Sequence, residues 1–100
     1  MKITIDWNAL VGKVTPSLVS GFQGLLGGTA EVAALAIQTM EHLARFALDG
    51  NQAGINECAA NLRVLGEAER IEANAAAWET AAGIAKTVGG TLLGVVGAMV

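Results

Sequence analysis

Reactive side chains are scarce in this chain of 100 residues. Cys58 is the only cysteine, which excludes an internal disulfide and a metal site built from cysteines. His42 is the only histidine, and hydrolytic chemistry would also need a nucleophile and an orienting carboxylate beside it. Charged residues make up 15% of the chain, against about a quarter in an ordinary soluble domain. The net charge of −3 and pI near 4.9 argue against a nucleic-acid partner, which needs a basic footprint. They equally argue against a polybasic membrane tether.

Long hydrophobic runs are also missing. The nearest is Thr87 to Val100, 14 residues without a charge. As a helix it spans roughly 21 Å, short of a ~30 Å hydrocarbon core. Extending it back to Thr80 reaches spanning length only by including Lys86. Met1 to Asp6 lacks the apolar core of a secretory signal. The expectation is therefore cytoplasmic synthesis, followed by assembly into a particle or membrane association.

Small and apolar residues fill the composition, with 53% hydrophobic and 13 glycines. Ile3, Ile5 and Trp7 alternate with Lys2, Thr4 and Asp6, which reads as a short extended arm. Asp6 can also cap a short helix from Trp7 to about Lys13, with Trp7, Leu10, Val11 and Val14 spaced like one helical face. Thr15-Pro16 then reads as a new helix start, with Leu18, Val19, Phe22, Leu25 and Leu26 on one face and Gly27-Gly28 as the stop. Val14 to Ala30 holds no charge at all. Thr29 caps a helix to Leu48 whose apolar face is broad. Glu41 and Arg45 are spaced to pair on its outside. Asp49 to Gly54 is the turn, with Gly50 suited to a left-handed cap.

The rest reads as one long helix with a phase change. Ile55, Cys58, Leu62 and Leu65 form an early stripe. A heptad seam then takes over: Val64, Ala68, Ile71, Ala75, Trp78, Ala82, Ala85, Gly89, Leu92, Val96, Met99. A second stripe is small throughout: Ala73, Ala76, Thr80, Gly83, Thr87, Gly90, Gly94, Gly97. Its four glycines cost about 4 kcal/mol of helix propensity, a cost that close approach of a neighbouring helix would offset. The expected helix-packing interface is Gly83, Gly90, Gly94 and Gly97 together with Trp78, Leu92 and Val96.

Other motifs fall short of chemistry. Gly24 to Gly28 precedes a helix but lacks the lysine and strand of a P-loop. Glu67, Glu69 and Glu72 lack a Glu-x-x-His partner and read as a solvated face with Arg63 and Arg70. Cys58 reads as a small hydrophobe in the core, and His42 as a solvated helix residue. The turn has no tryptophan, so the Trp-x-Gly mark of hairpin substrates of type VII secretion is missing.

The sequence thus predicts an all-α fold: a helical hairpin with a long C-terminal helix, preceded by a short N-terminal arm and helix. The boundaries are 1–14 for the arm, 15–28 for the short apolar helix, 29–49 for the next helix, 50–54 for the turn and 55–100 for the long helix. The expected function is non-enzymatic, with no cofactor, metal or small-molecule substrate. It is that of a structural subunit that forms homo-oligomers or joins other subunits, and in style it resembles small structural proteins of phage particles and secretion machines. The alternative is a membrane-active protein, a small pore former or lysis factor, that inserts its apolar C-terminal half.

Overall fold

A computed structural model describes residues 6–99. The proposed arm over residues 1–5 lies outside them. The described chain is all helix and loop: α1 (Trp7–Leu26), α2 (Ala30–Leu48), α3 (Gln52–Ala60), α4 (Leu62–Ala68) and α5 (Ala75–Met99). The all-α class and the long C-terminal helix stand as read. The number of chain reversals does not.

Asp6 caps α1, accepting from the Ala9 N–H at 3.1 Å. The two expected N-terminal helices are one. Thr15 is no cap, because its hydroxyl donates to the Val11 carbonyl at 2.7 Å, inside the helix. Leu10, Val11, Val14, Leu18 and Phe22 form one apolar stripe that runs past Pro16. Pro16 itself is exposed, as is Gly12, whose carbonyl loses its helical donor. Water can solvate that carbonyl, and burial of the continuous stripe outweighs the local defect.

The turn after α2 is shorter than expected. Gly50 is left-handed, at φ 66°. Its N–H donates to Ala47, and the Asn51 N–H donates to Phe46 at 2.8 Å, a Schellman closure. Asn51 then caps α3, its side-chain oxygen accepting from the Gly54 N–H at 2.8 Å. Gly54 is buried rather than part of an exposed turn, and it lies under the Phe46 ring. An insertion after Asn51 would therefore break a cap worth about 1 kcal/mol. Asp49–Gly50 is the better place for one.

The expected single helix over 55–100 is broken twice. Asn61 separates α3 from α4, though its N–H still donates to the Glu57 carbonyl at 2.9 Å and its own carbonyl accepts from the Leu65 N–H at 3.1 Å, and after α4 the chain reverses through Glu69–Asn74. That reversal is a second Schellman closure. The Arg70 N–H donates to Glu67, and the Ile71 N–H to Gly66 at 2.9 Å. Here the left-handed position, φ 61°, is held by Arg70. Asn74 caps the restart, accepting from the Ala77 N–H at 2.8 Å. The phase change thus marks a helix end rather than a feature of one continuous helix. Val64 and Ala68, read as the start of the seam, are exposed accordingly. Arg70→Gly removes a left-handed strain of about 1 kcal/mol, partly offset by a looser unfolded chain. It is expected to raise the melting temperature by a few degrees, which thermal denaturation followed by circular dichroism will read.

The helices run up, down, up and down, with α3–α4 as the broken third rod. Extents of 48 × 24 × 18 Å fit a bundle two helices thick. α2 and α5 contact each other, and both contact α1 and α3; α1 and α3 share no contact among the described residues. Leu18, Phe22, Val32, Leu35, Met40, Leu43, Ile55, Leu62 and Leu92 are fully or almost fully buried. Buried Thr39 satisfies its hydroxyl on the Leu35 carbonyl at 2.8 Å. Among the described residues no buried side-chain polar atom lacks a partner.

Candidate functional site

α5 divides its faces cleanly. Inward, Trp78, Ala81, Ala85, Gly89 and Leu92 are buried against the other helices. A β-carbon on Gly89 would lie 2.5 Å from Ile55 Cγ2 and 3.0 Å from Leu43 Cδ2, so only glycine fits there. Gly66 of α4 is tighter still, with the Trp78 indole seated directly on it. Outward, Ala76, Thr80, Gly83, Thr87, Gly90, Thr91, Gly94 and Gly97 are exposed. A β-carbon at Gly83, Gly90, Gly94 or Gly97 would meet nothing within 4 Å.

The sequence-derived interface set therefore lies on two faces. Trp78 and Leu92 belong to the core of this chain, and Val96 is half-buried. The four glycines have no packed neighbour among the described residues, so the expected close approach of a helix is not found among them. Close approach occurs instead at Gly54, Gly66 and Gly89. Periodicity places Gly89 on the inward seam and the four exposed glycines on the other stripe, whereas nothing in the residue pattern marks Gly54 and Gly66 as close contacts.

The outward face is also chemically quiet. The hydroxyls of Thr80, Thr87 and Thr91 donate to the carbonyls of Ala76, Gly83 and Thr87 at 2.9, 3.0 and 3.0 Å. Each is thus committed to its own helix. α1, which packs beside α5 with Gly21 against Ile84, adds exposed Ser17, Ser20 and Gly24. Lys13 is the one charge on α1, and Glu79 and Lys86 are the two on α5. The other charges among the described residues, Asp6 apart, lie on α2, α3, α4 and the loops between helices: Glu31, Glu41, Arg45, Asp49, Glu57, Arg63, Glu67, Glu69, Arg70 and Glu72. The molecule has a charged side and an almost uncharged one.

On the charged side, Arg63 and Glu67 form the one ion pair among the described residues, 3.2 Å apart and exposed. Such a pair contributes roughly 0.3–0.5 kcal/mol. Glu41 and Arg45 do not pair; both line a shallow groove with Trp7 and Leu48.

His42, Phe46, Glu57, Cys58, Asn61 and Leu65 line a depression of about 230 Å³, so the bundle does bring the sole histidine and cysteine to one place. Burial, however, pushes the Cys58 thiol above its ordinary pKa, which suppresses the thiolate a nucleophile or metal ligand requires. Iodoacetamide is expected to alkylate Cys58 at least about tenfold more slowly in the native protein than in urea, as read by mass spectrometry. A wider groove of about 530 Å³ at the opposite end is lined by Thr29, Glu31, Glu69, Arg70 and Glu72. No group of three potential metal ligands forms among the described residues.

No protein-family model matches the chain, and no curated protein or solved structure resembles it at significant similarity.

Proposed function

We propose that this chain is a non-enzymatic structural subunit that self-associates through the outward face of α5 and the adjoining surface of α1. The observation that carries this reading is the open glycine and threonine stripe from Ala76 to Gly97. Gly83, Gly90 and Gly94 in the helix interior and Gly97 in its last turn cost the isolated bundle about 3–4 kcal/mol of propensity and gain no contact among the described residues. A neighbouring helix could come close enough there to offset that cost, since dispersion contacts grow with backbone proximity. The near absence of charge points the same way, because a face meant for water normally carries more. The burial that raises the Cys58 pKa argues against a thiolate nucleophile at that residue. A small alanine- and glycine-rich helical subunit of this kind suits a virion or a secretion machine.

A second reading has its own observation. Ala75–Ala98 is long and apolar enough to cross a membrane by length and composition, and only 28% of an apolar 18-residue stretch within it is buried inside the chain. It reaches that length by counting Glu79 and Lys86. Insertion would also strip Trp78, Ala81, Ala85 and Leu92 from the bundle core, whereas self-association leaves the core intact. Liposome flotation separates the two. Self-association predicts protein at the bottom of the gradient as a discrete oligomer, and a chain that floats with the vesicles contradicts it.

A further inference from the structure

We infer that the partner of this face is a second copy of α5, running antiparallel and crossing at Gly83. The inference rests on the self-association proposed above, and it adds the geometry. Glu79 and Lys86 stand two turns apart on one flank of the exposed stripe, and neither makes an ion pair among the described residues. A two-fold axis between antiparallel helices sets each flank against the same flank of the second copy. Glu79 of each copy then meets Lys86 of the other, twice, when the crossing point lies midway between them. That midpoint falls between Ala82 and Gly83.

The stripe is self-complementary about the same point. About Gly83, Ala76 lies level with Gly90, and Thr80 and Thr87 lie within one residue of level, so small residues meet near the crossing. Other arrangements lose the charge match. Crossing at Thr87, the middle of the whole stripe, brings Lys86 against Lys86. A parallel pairing sets the Glu79 flank against the opposite flank, which carries Thr80 and Thr91 and no charge. Exposed ion pairs are individually weak, so these charges choose the register while the small residues supply the close approach.

The test is sedimentation equilibrium on Glu79→Lys, Lys86→Glu and their equimolar mixture, with helicity checked by circular dichroism. Both sites are exposed, so the fold is retained. Each variant alone sets like charges together twice and is expected to dimerise about tenfold more weakly than the parent. The mixture restores both opposite-charge pairs and should recover the parental affinity, with the differences fading in high salt. Variants that associate like the parent, or a mixture no tighter than its components, overturn this register while leaving self-association standing. A monomeric parent overturns both. Cross-linking checks the geometry without the charges, in a Cys58→Ala background. Gly83→Cys should oxidise to a covalent dimer, since the two α-carbons meet at the crossing. Gly97→Cys should not, its two copies lying ~42 Å apart along the helices. The reverse result contradicts the antiparallel crossing.

Discussion

Gly66→Ala is expected to destabilise the fold by about 1–3 kcal/mol, although alanine is the better helix former. Two effects compete at this position. Helix propensity gains up to about 1 kcal/mol in α4. Against it, the new methyl lands on the Trp78 ring, which is 5% exposed and held between α4 and α5. A rigid indole in a packed core has no far end to swing aside, so α4 or α5 must move. Trp78→Ala alone should cost about 3–5 kcal/mol, among the largest effects of any substitution in this chain. The decisive comparison is the double mutant. With the ring gone, Gly66→Ala should turn stabilising, by up to about 1 kcal/mol. Urea titrations of the four proteins read this change of sign. If Gly66→Ala is as stable as the parent in both backgrounds, Trp78 does not sit on Gly66 and the junction of α4 with α5 is wrong.

The second large effect concerns assembly rather than folding. Gly90→Leu and Gly94→Leu are expected to keep the bundle folded and to raise helicity slightly, because each new side chain enters open space. Gly90→Leu should weaken self-association, since a leucine near a close crossing forces the helices apart at a cost of about 1–3 kcal/mol, roughly 5- to 150-fold in affinity, whereas Gly94, level with Glu72 of the second copy and so beyond its α5, should show a smaller loss. Gly90 lies nearer the inferred crossing point and should show the larger loss. Gly89→Leu provides the contrast. One residue away, it faces Ile55 and Leu43, and should unfold the bundle rather than merely dissociate it. Circular dichroism and light scattering on the same samples separate lost fold from lost assembly. Gly90 and Gly94 variants that melt and assemble like the parent would make the stripe incidental.

What the sequence made legible were the features with a local chemical signature. Thr29 is a cap, accepting from the Val32 N–H at 3.3 Å. Gly50 is the left-handed residue of its turn. Ile55, Cys58 and Leu62 are buried together, and the seam holds from Trp78 through Ala85, Gly89 and Leu92. What was missed had an unusual residue or a tertiary cause. The reversal after α4 places Arg70 where glycine is the usual signal, so the only local hints were Asn74 and the phase slip. Pro16 resembled a helix start because its neighbour Thr15 could have been a cap; burial of one long stripe on α1 decided otherwise. The glycines were hardest. Gly66 touches a tryptophan twelve residues on and Gly83 has no packed neighbour among the described residues, yet each is a helical glycine with an apolar residue before it and no local sign of the difference.

The central claim is that the uncharged face of α5 is covered by another copy of the chain. Sedimentation equilibrium of the parent protein in detergent-free buffer at micromolar concentration tests it most directly. The predicted result is a discrete species at a whole multiple of the 10.1 kDa chain mass. A helical, cooperatively melting protein that sediments as a monomer under those conditions would contradict the claim.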